Sequence, residues 1–246
     1  MDDIAGKTSL DSKPAVRICQ ILNSAGVPNV LWGNYLLRIY GVPTIIDDVA
    51  FVVPDDRITA ASSALVQANF TICNNLNCDC SYRFQARRPL VHFHMSDVLV
   101  LSLYQKSDVL WELTALDSPT SENASSILSA SDPSLPSAAP GRGQGRLSSE
   151  YSAVRVPAVA KYCESLLLLM CRDYDTTYET YWMALLTYIL EYVDETGFFG
   201  AEDLGCEFRK FYCAAKEANT SCMWRLLEEL RSNLALSGRL RSSQNL

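Results

Sequence analysis

Histidine is nearly absent from this chain: two occur among its 246 residues, and both fall in the six-residue stretch Leu90–Met95. With so few, no serine–histidine–acid triad is recognisable. Long apolar runs are missing as well. None approaches the roughly 18 residues that cross a bilayer, so no membrane partner is expected. Positive charge is in the minority, 21 Lys and Arg against 28 Asp and Glu. A chain of that balance gains little from general attraction to nucleic acid, which leaves only a locally basic cleft for such a partner. No glycine-rich phosphate loop of the P-loop or Rossmann kind is present either. The amino terminus, Met1-Asp2-Asp3, lacks a basic stretch followed by an apolar one, so a secretory leader is not expected.

What is present suits a globular protein: 48% hydrophobic and 20% charged residues, enough apolar material for a substantial core. Nine cysteines, an odd number, sit within apolar segments such as Leu169-Met170-Cys171. That usage points to reduced thiols in a cytoplasmic protein, with no disulfide-linked partner. Apolar spacing predicts a helix over 14–25, a strand at Val30–Trp32, a helix over 34–40 and a strand at Val49–Val53. A helix from Pro54 to about Ala68 follows, with Asp55 and Asp56 suited to its first turn. Strands are expected at Phe70–Cys73, Tyr82–Ala86, Leu90–Met95, Val98–Tyr104 and Val109–Leu113.

Residues 117–150 change character. Ten serines, four prolines and three glycines make up half of them, and no aromatic occurs between Trp111 and Tyr151. A segment of that composition buries too little apolar surface to offset its ordering entropy, so 117–153 reads as a disordered linker or insertion. From Val154 onward the pattern is helical, with long helices over 176–193, 202–218 and 221–236. The expected organisation is an α/β domain over 1–116, the linker, and a helical domain over 154–246.

One stretch gathers the most chemistry. Val30-Leu31-Trp32 leads into Gly33-Asn34, an apolar helix, and then Asp47-Asp48-Val49-Ala50 opening a second strand. Gly33 suits a turn where backbone approaches a ligand, and Asn34 suits a helix cap. This segment resembles the signature of the nucleotidyltransferase fold, the polymerase-beta-like superfamily. That signature is an apolar residue, glycine, and glycine or serine, followed after about a dozen residues by two acids one residue apart on a strand. Gly33 matches the glycine, Asn34 stands in the glycine-or-serine position, and Asp48 matches the first acid. The second acid would lie two positions on, on the same strand face. That position is Ala50, and Asp47 points the other way.

The resemblance implies an α+β protein, a mixed sheet with flanking helices followed by a helical bundle. It further implies a transferase in which Gly33 and Asn34 approach a nucleotide or an RNA end. Asp48 would serve as general base or metal ligand. The family holds magnesium between paired carboxylates, and Ala50 leaves that pair incomplete. The layout is also similar to the fungal arginine-containing cyclodipeptide synthases of secondary metabolism, which use aminoacyl-tRNA and activate no triphosphate. The alternative is a non-catalytic binding or regulatory protein, a pseudoenzyme that has kept the fold.

Further candidates follow from spacing. His92 and His94 alternate on one strand and share a face, where a near-neutral side chain could move protons. Arg83 and Arg87 alternate likewise and could clamp phosphate, and Lys106, in a turn, could approach a ligand. Cys73, Cys78 and Cys80 near the histidines raise a zinc reading. Their separations of four residues and then one are not two-residue knuckles, so they read as thiols of an exposed loop.

Overall fold

A five-stranded sheet carries the first half of the chain in the computed structural model, which describes residues 13–75, 78, 89–97, 99–114, 116 and 126–242. Strands β1 (Val30–Trp32), β2 (Asp48–Val53), β3 (Thr71–Ile72), β4 (Val91–His94) and β5 (Val100–Gln105) lie in the order β1-β2-β5-β4-β3. β2 and β5 run parallel; the other three pairs are antiparallel. The two parallel strands are central, and from Val49 to Val53 and Val100 to Tyr104 every residue is buried. Runs this apolar, broken only by Ser102, are what a strand covered on both faces requires.

Helices α1 (Lys13–Ser24), α2 (Gly33–Ile39) and α3 (Ile58–Gln67) accompany the sheet. Ala15, Ile18, Cys19 and Leu22 of α1 are buried at helical spacing, as the apolar pattern predicts. The segment expected as a strand at Val109–Leu113 is different. Lys106–Val109 forms a one-turn helix, α4, followed by a turn, and Asp55 accepts a hydrogen bond from the Ser107 N–H at 3.0 Å. The α+β class and the mixed sheet with flanking helices are as expected.

The serine-, proline- and glycine-rich tract, expected to be disordered over 117–153, is ordered in its described part, and residues 117–125 lie outside the described residues. From residue 126 it is built into the first unit. β6 (Ile127–Ser129) pairs with β7 (Arg155–Pro157), so the residues from Val154 begin as strand rather than helix. Leu135 and Leu147 are buried, and the glycines at 143 and 145 lay their N–H groups on Gly41 O and Arg38 O at 2.8 and 2.9 Å. A Cβ at Gly143 would stand 2.5 Å from Val42 O and 2.6 Å from Arg38 O, so only glycine lets the two backbones meet. Composition misleads here because backbone hydrogen bonds and a few leucines do the ordering that bulky side chains do elsewhere.

The second compact unit runs from Val159 to the carboxyl end. Its helices are α5 (Val159–Arg172), α6 (Thr177–Tyr192), α7 (Cys206–Lys216) and α8 (Thr220–Leu236). α5 packs between α6 and α8 and is buried almost all round, as a helix apolar on most faces must be. Just past its end the Arg172 guanidinium pairs with Asp173 at 2.6 Å, both side chains nearly inaccessible. Trp182 Nε1 donates to the same carboxylate at 2.8 Å. Among the described residues, no helix is long and apolar enough to cross a membrane.

Candidate functional site

Gly33 starts α2 in the left-handed conformation, at φ +68°, which β1 needs in order to turn directly into a helix. A Cβ placed on it would contact Ala50 Cβ at 3.5 Å. The glycine and the position of the missing acid therefore face each other. Asn34 does not cap the helix, which already begins at Gly33. Its side-chain amide instead donates to Asp47 Oδ1 at 3.2 Å and ties the approach to β2 onto α2. This occupies Asp47, and strand alternation turns it away from Asp48.

The strand register assembles one face of the sheet. Ala50 pairs with Trp32 on one side and with Ser102 on the other, and Ser102 pairs with His92. Cys73, one residue past β3, donates its N–H to His92 O at 2.9 Å and so extends the row. The neighbouring row is Asp48, Val100, His94 and Thr71. Asp48, Ser102, His92, His94 and Cys73 consequently share a face.

Asp48 retains some exposure as a residue, yet its Oδ1 is enclosed and has no hydrogen-bond partner. Burial pushes its carboxyl up from 3.8 to about 7; the nearby Ser102 hydroxyl and the Val49 N–H pull the other way, and the charge of Asp47 adds to the rise. Ser102 Oγ is itself buried and does not complete a well-aligned bond. The Ser102 influence on Asp48 is thus one of proximity. Sequence reading passed over Ser102. The signal was there: it is the one polar residue in Val100-Leu101-Ser102-Leu103, directly opposite Ala50.

This set does not fit the magnesium pair of the nucleotidyltransferase signature. A hard divalent ion needs several oxygen ligands with charge to match. The face offers one carboxyl that keeps its proton to about neutral pH, one hydroxyl, and a methyl group where the second carboxylate would stand.

β5 stands between Asp48 and the histidines, so the backbones of Asp48 and His94 are separated by two strand spacings, roughly 10 Å. The histidines are gathered instead with two cysteines. The ligand atoms of Cys73, Cys78, His92 and His94 all lie within 4.8 Å of one another. Cys78 Sγ is 3.4 Å from His94 Nε2, and the two imidazole centroids are 5.8 Å apart. Lys106 opens α4 immediately after β5. Arg83, Arg87 and Cys80 lie outside the described residues.

No family model matches the chain, and no curated protein matches it. Solved structures similar to the chain include three at low identity. The crystal structure of ANT(2")-Ia in complex with adenylyl-2"-tobramycin is 14% identical over 94% of this chain and 99% of that one, with a TM-score of 0.39. The solution structure of the same antibiotic-resistance factor is 13% identical over 93% and 95%, at 0.38. JHP933 from Helicobacter pylori is 14% identical over 96% and 92%, at 0.37. All three likenesses are remote.

Proposed function

We propose that this chain is a transferase of the nucleotidyltransferase type that works with one acid, Asp48, as a proton acceptor rather than with a pair of acids around magnesium. The observation that carries this reading is the enclosed Asp48 carboxyl, pushed up to about 7, near Ser102 and two residues from Ala50 on the same strand face. A base poised near the working pH is the form in which a carboxyl takes and returns protons most effectively.

The substrate class we assign is an aminoacyl ester on tRNA, in keeping with the resemblance to arginine-containing cyclodipeptide synthases. Such a transfer activates no triphosphate and so tolerates alanine at position 50. An amine attacks the ester carbonyl; as the new C–N bond forms, Asp48 takes the amine's proton and gives it to the departing ribose oxygen. Gly33, which brings backbone close to this face without a side chain, lies where a substrate end would pass.

A second reading, a binding protein with the acid site in decay, is favoured by Ala50 itself. Thermal shift with tRNA and with ATP or CTP plus magnesium, each alongside Asp48→Asn, separates the two. A ligand at 100 times its Kd contributes about 2.7 kcal/mol of stability, an easily read shift. We expect stabilisation by tRNA, none by magnesium–nucleotide, and amide-forming transfer that Asp48→Asn abolishes. Magnesium–nucleotide stabilisation lost in that variant would replace this reading with ordinary nucleotidyl transfer. tRNA binding with no transfer in either protein would leave the binding role.

A further inference from the structure

The four side chains gathered at the β3–β4 edge constitute a donor set of their own. We propose that Cys73, Cys78, His92 and His94 form a closed site for one zinc ion, which clips the end of β3 and Cys78 onto β4. Two sulfurs and two imidazole nitrogens are the donors of common structural zinc sites. In a tetrahedral site with Zn–S near 2.3 Å and Zn–N near 2.05 Å, a sulfur and a nitrogen stand about 3.6 Å apart. Cys78 Sγ and His94 Nε2 are 3.4 Å apart, and the whole set falls within 4.8 Å.

The backbone explains why these four meet. His92 and His94 are two apart on a strand, which puts both rings on one face, as three to five intervening residues do on a helix. Cys73 lies opposite His92 in the same ladder, held by the 2.9 Å bond to His92 O. Cys78 is buried, and its N–H donates to Asn75 O at 3.2 Å, which holds it near the strand end that carries Cys73. His94 is exposed, which gives an ion a way in. Four intervening residues between the cysteines are within the range such sites use.

Binding is balanced by protons. Zn²⁺ displaces one proton from each thiol and takes two neutral imidazoles, so the site closes without net charge and two protons are released. All four positions are filled by protein, which leaves no place for a reactive water and marks the ion as structural. It also gives the clip a task. β3 pairs with β4 through two residues and the Cys73 N–H, and an edge strand that short gains from an added tether.

The test uses full-length, tag-free protein. Native mass spectrometry is expected to show about one zinc per chain, with the mass of two protons lost. After chelator treatment, cobalt(II) is expected to produce thiolate-to-cobalt charge-transfer absorption together with the visible bands of a tetrahedral site. Cys78→Ser should abolish the charge-transfer pattern or halve it, and Asp48→Asn should leave metal content unchanged. His94→Ala should open a coordination position and shift the visible bands while both thiolates remain. Folded protein with no zinc and no cobalt–thiolate absorption would overturn the proposal, and so would a Cys73–Cys78 disulfide in protein purified under reductant. Undiminished metal in a Cys73→Ser/Cys78→Ser variant would overturn it as well. Because Asp48→Asn is read for metal and for transfer separately, this proposal and the one-acid reaction can fail independently.

Discussion

At Asp48 the chain holds a proton that the unfolded polypeptide gives up. The carboxyl titrates near 3.8 when exposed and at about 7 in the fold. Between those values the native state binds more protons than the unfolded state, so stability falls as pH rises from about 4 to about 7 and levels off above. Asp48→Asn removes the cost. It is expected to raise stability at pH 8 by up to about 4 kcal/mol and to change nothing at pH 4, as urea titrations at the two pH values would show. Ala50→Asp restores the second acid on the same strand face. Magnesium should then stabilise the variant in thermal shift while leaving the parent chain unmoved, since two carboxylates can share an ion that one cannot hold. Gly33→Ala has room for its methyl but not the conformation. The left-handed backbone at +68° predicts a loss of about 1–2 kcal/mol by denaturation.

Among the elements, the central strands were the most legible: Val49–Val53 is an unbroken apolar run, the run expected at Val98–Tyr104 is broken only by Ser102, and Val49–Val53 and Val100–Tyr104 are buried strand. Alternation placed His92 and His94 on one face, and the Gly33–Asp48 segment read as strand, turn, helix and strand. What remained hidden depends on pairing. Nothing in the residues states that β4 lies beside β5 or that Cys73 stands opposite His92, and without that register the cysteines and histidines read as separate features. The 126–153 tract stayed hidden for another reason, because its contacts are made by backbone. Gly143→Ala tests that account. Its methyl would collide with Val42 O and Arg38 O, and limited proteolysis is expected to cut within 126–158 in the variant much faster than in the parent. In the helical unit, Asp173→Ala would leave Arg172 charged and buried and Trp182 Nε1 unpaired. A loss of about 3–5 kcal/mol is expected, read from chemical denaturation.

Across the whole molecule, the polar partners of Asp48 and those of Asp173 fall in different compact units. The double variant Asp48→Asn/Asp173→Ala should therefore show the sum of the two effects within about 0.5 kcal/mol. The parallel pairing of β2 with β5 carries a different consequence, one of timing. β2 finds its central partner roughly fifty residues further along the chain, and such a pairing waits on closure of the intervening loop. β1, α2 and β2 can meet early, since they are neighbours in sequence. Asp48 then stands in water at its ordinary acidity until β5 arrives and Ser102 settles opposite Ala50. On that order the enclosure of Asp48, and with it the rise of its carboxyl, comes only with the pairing of the two central strands.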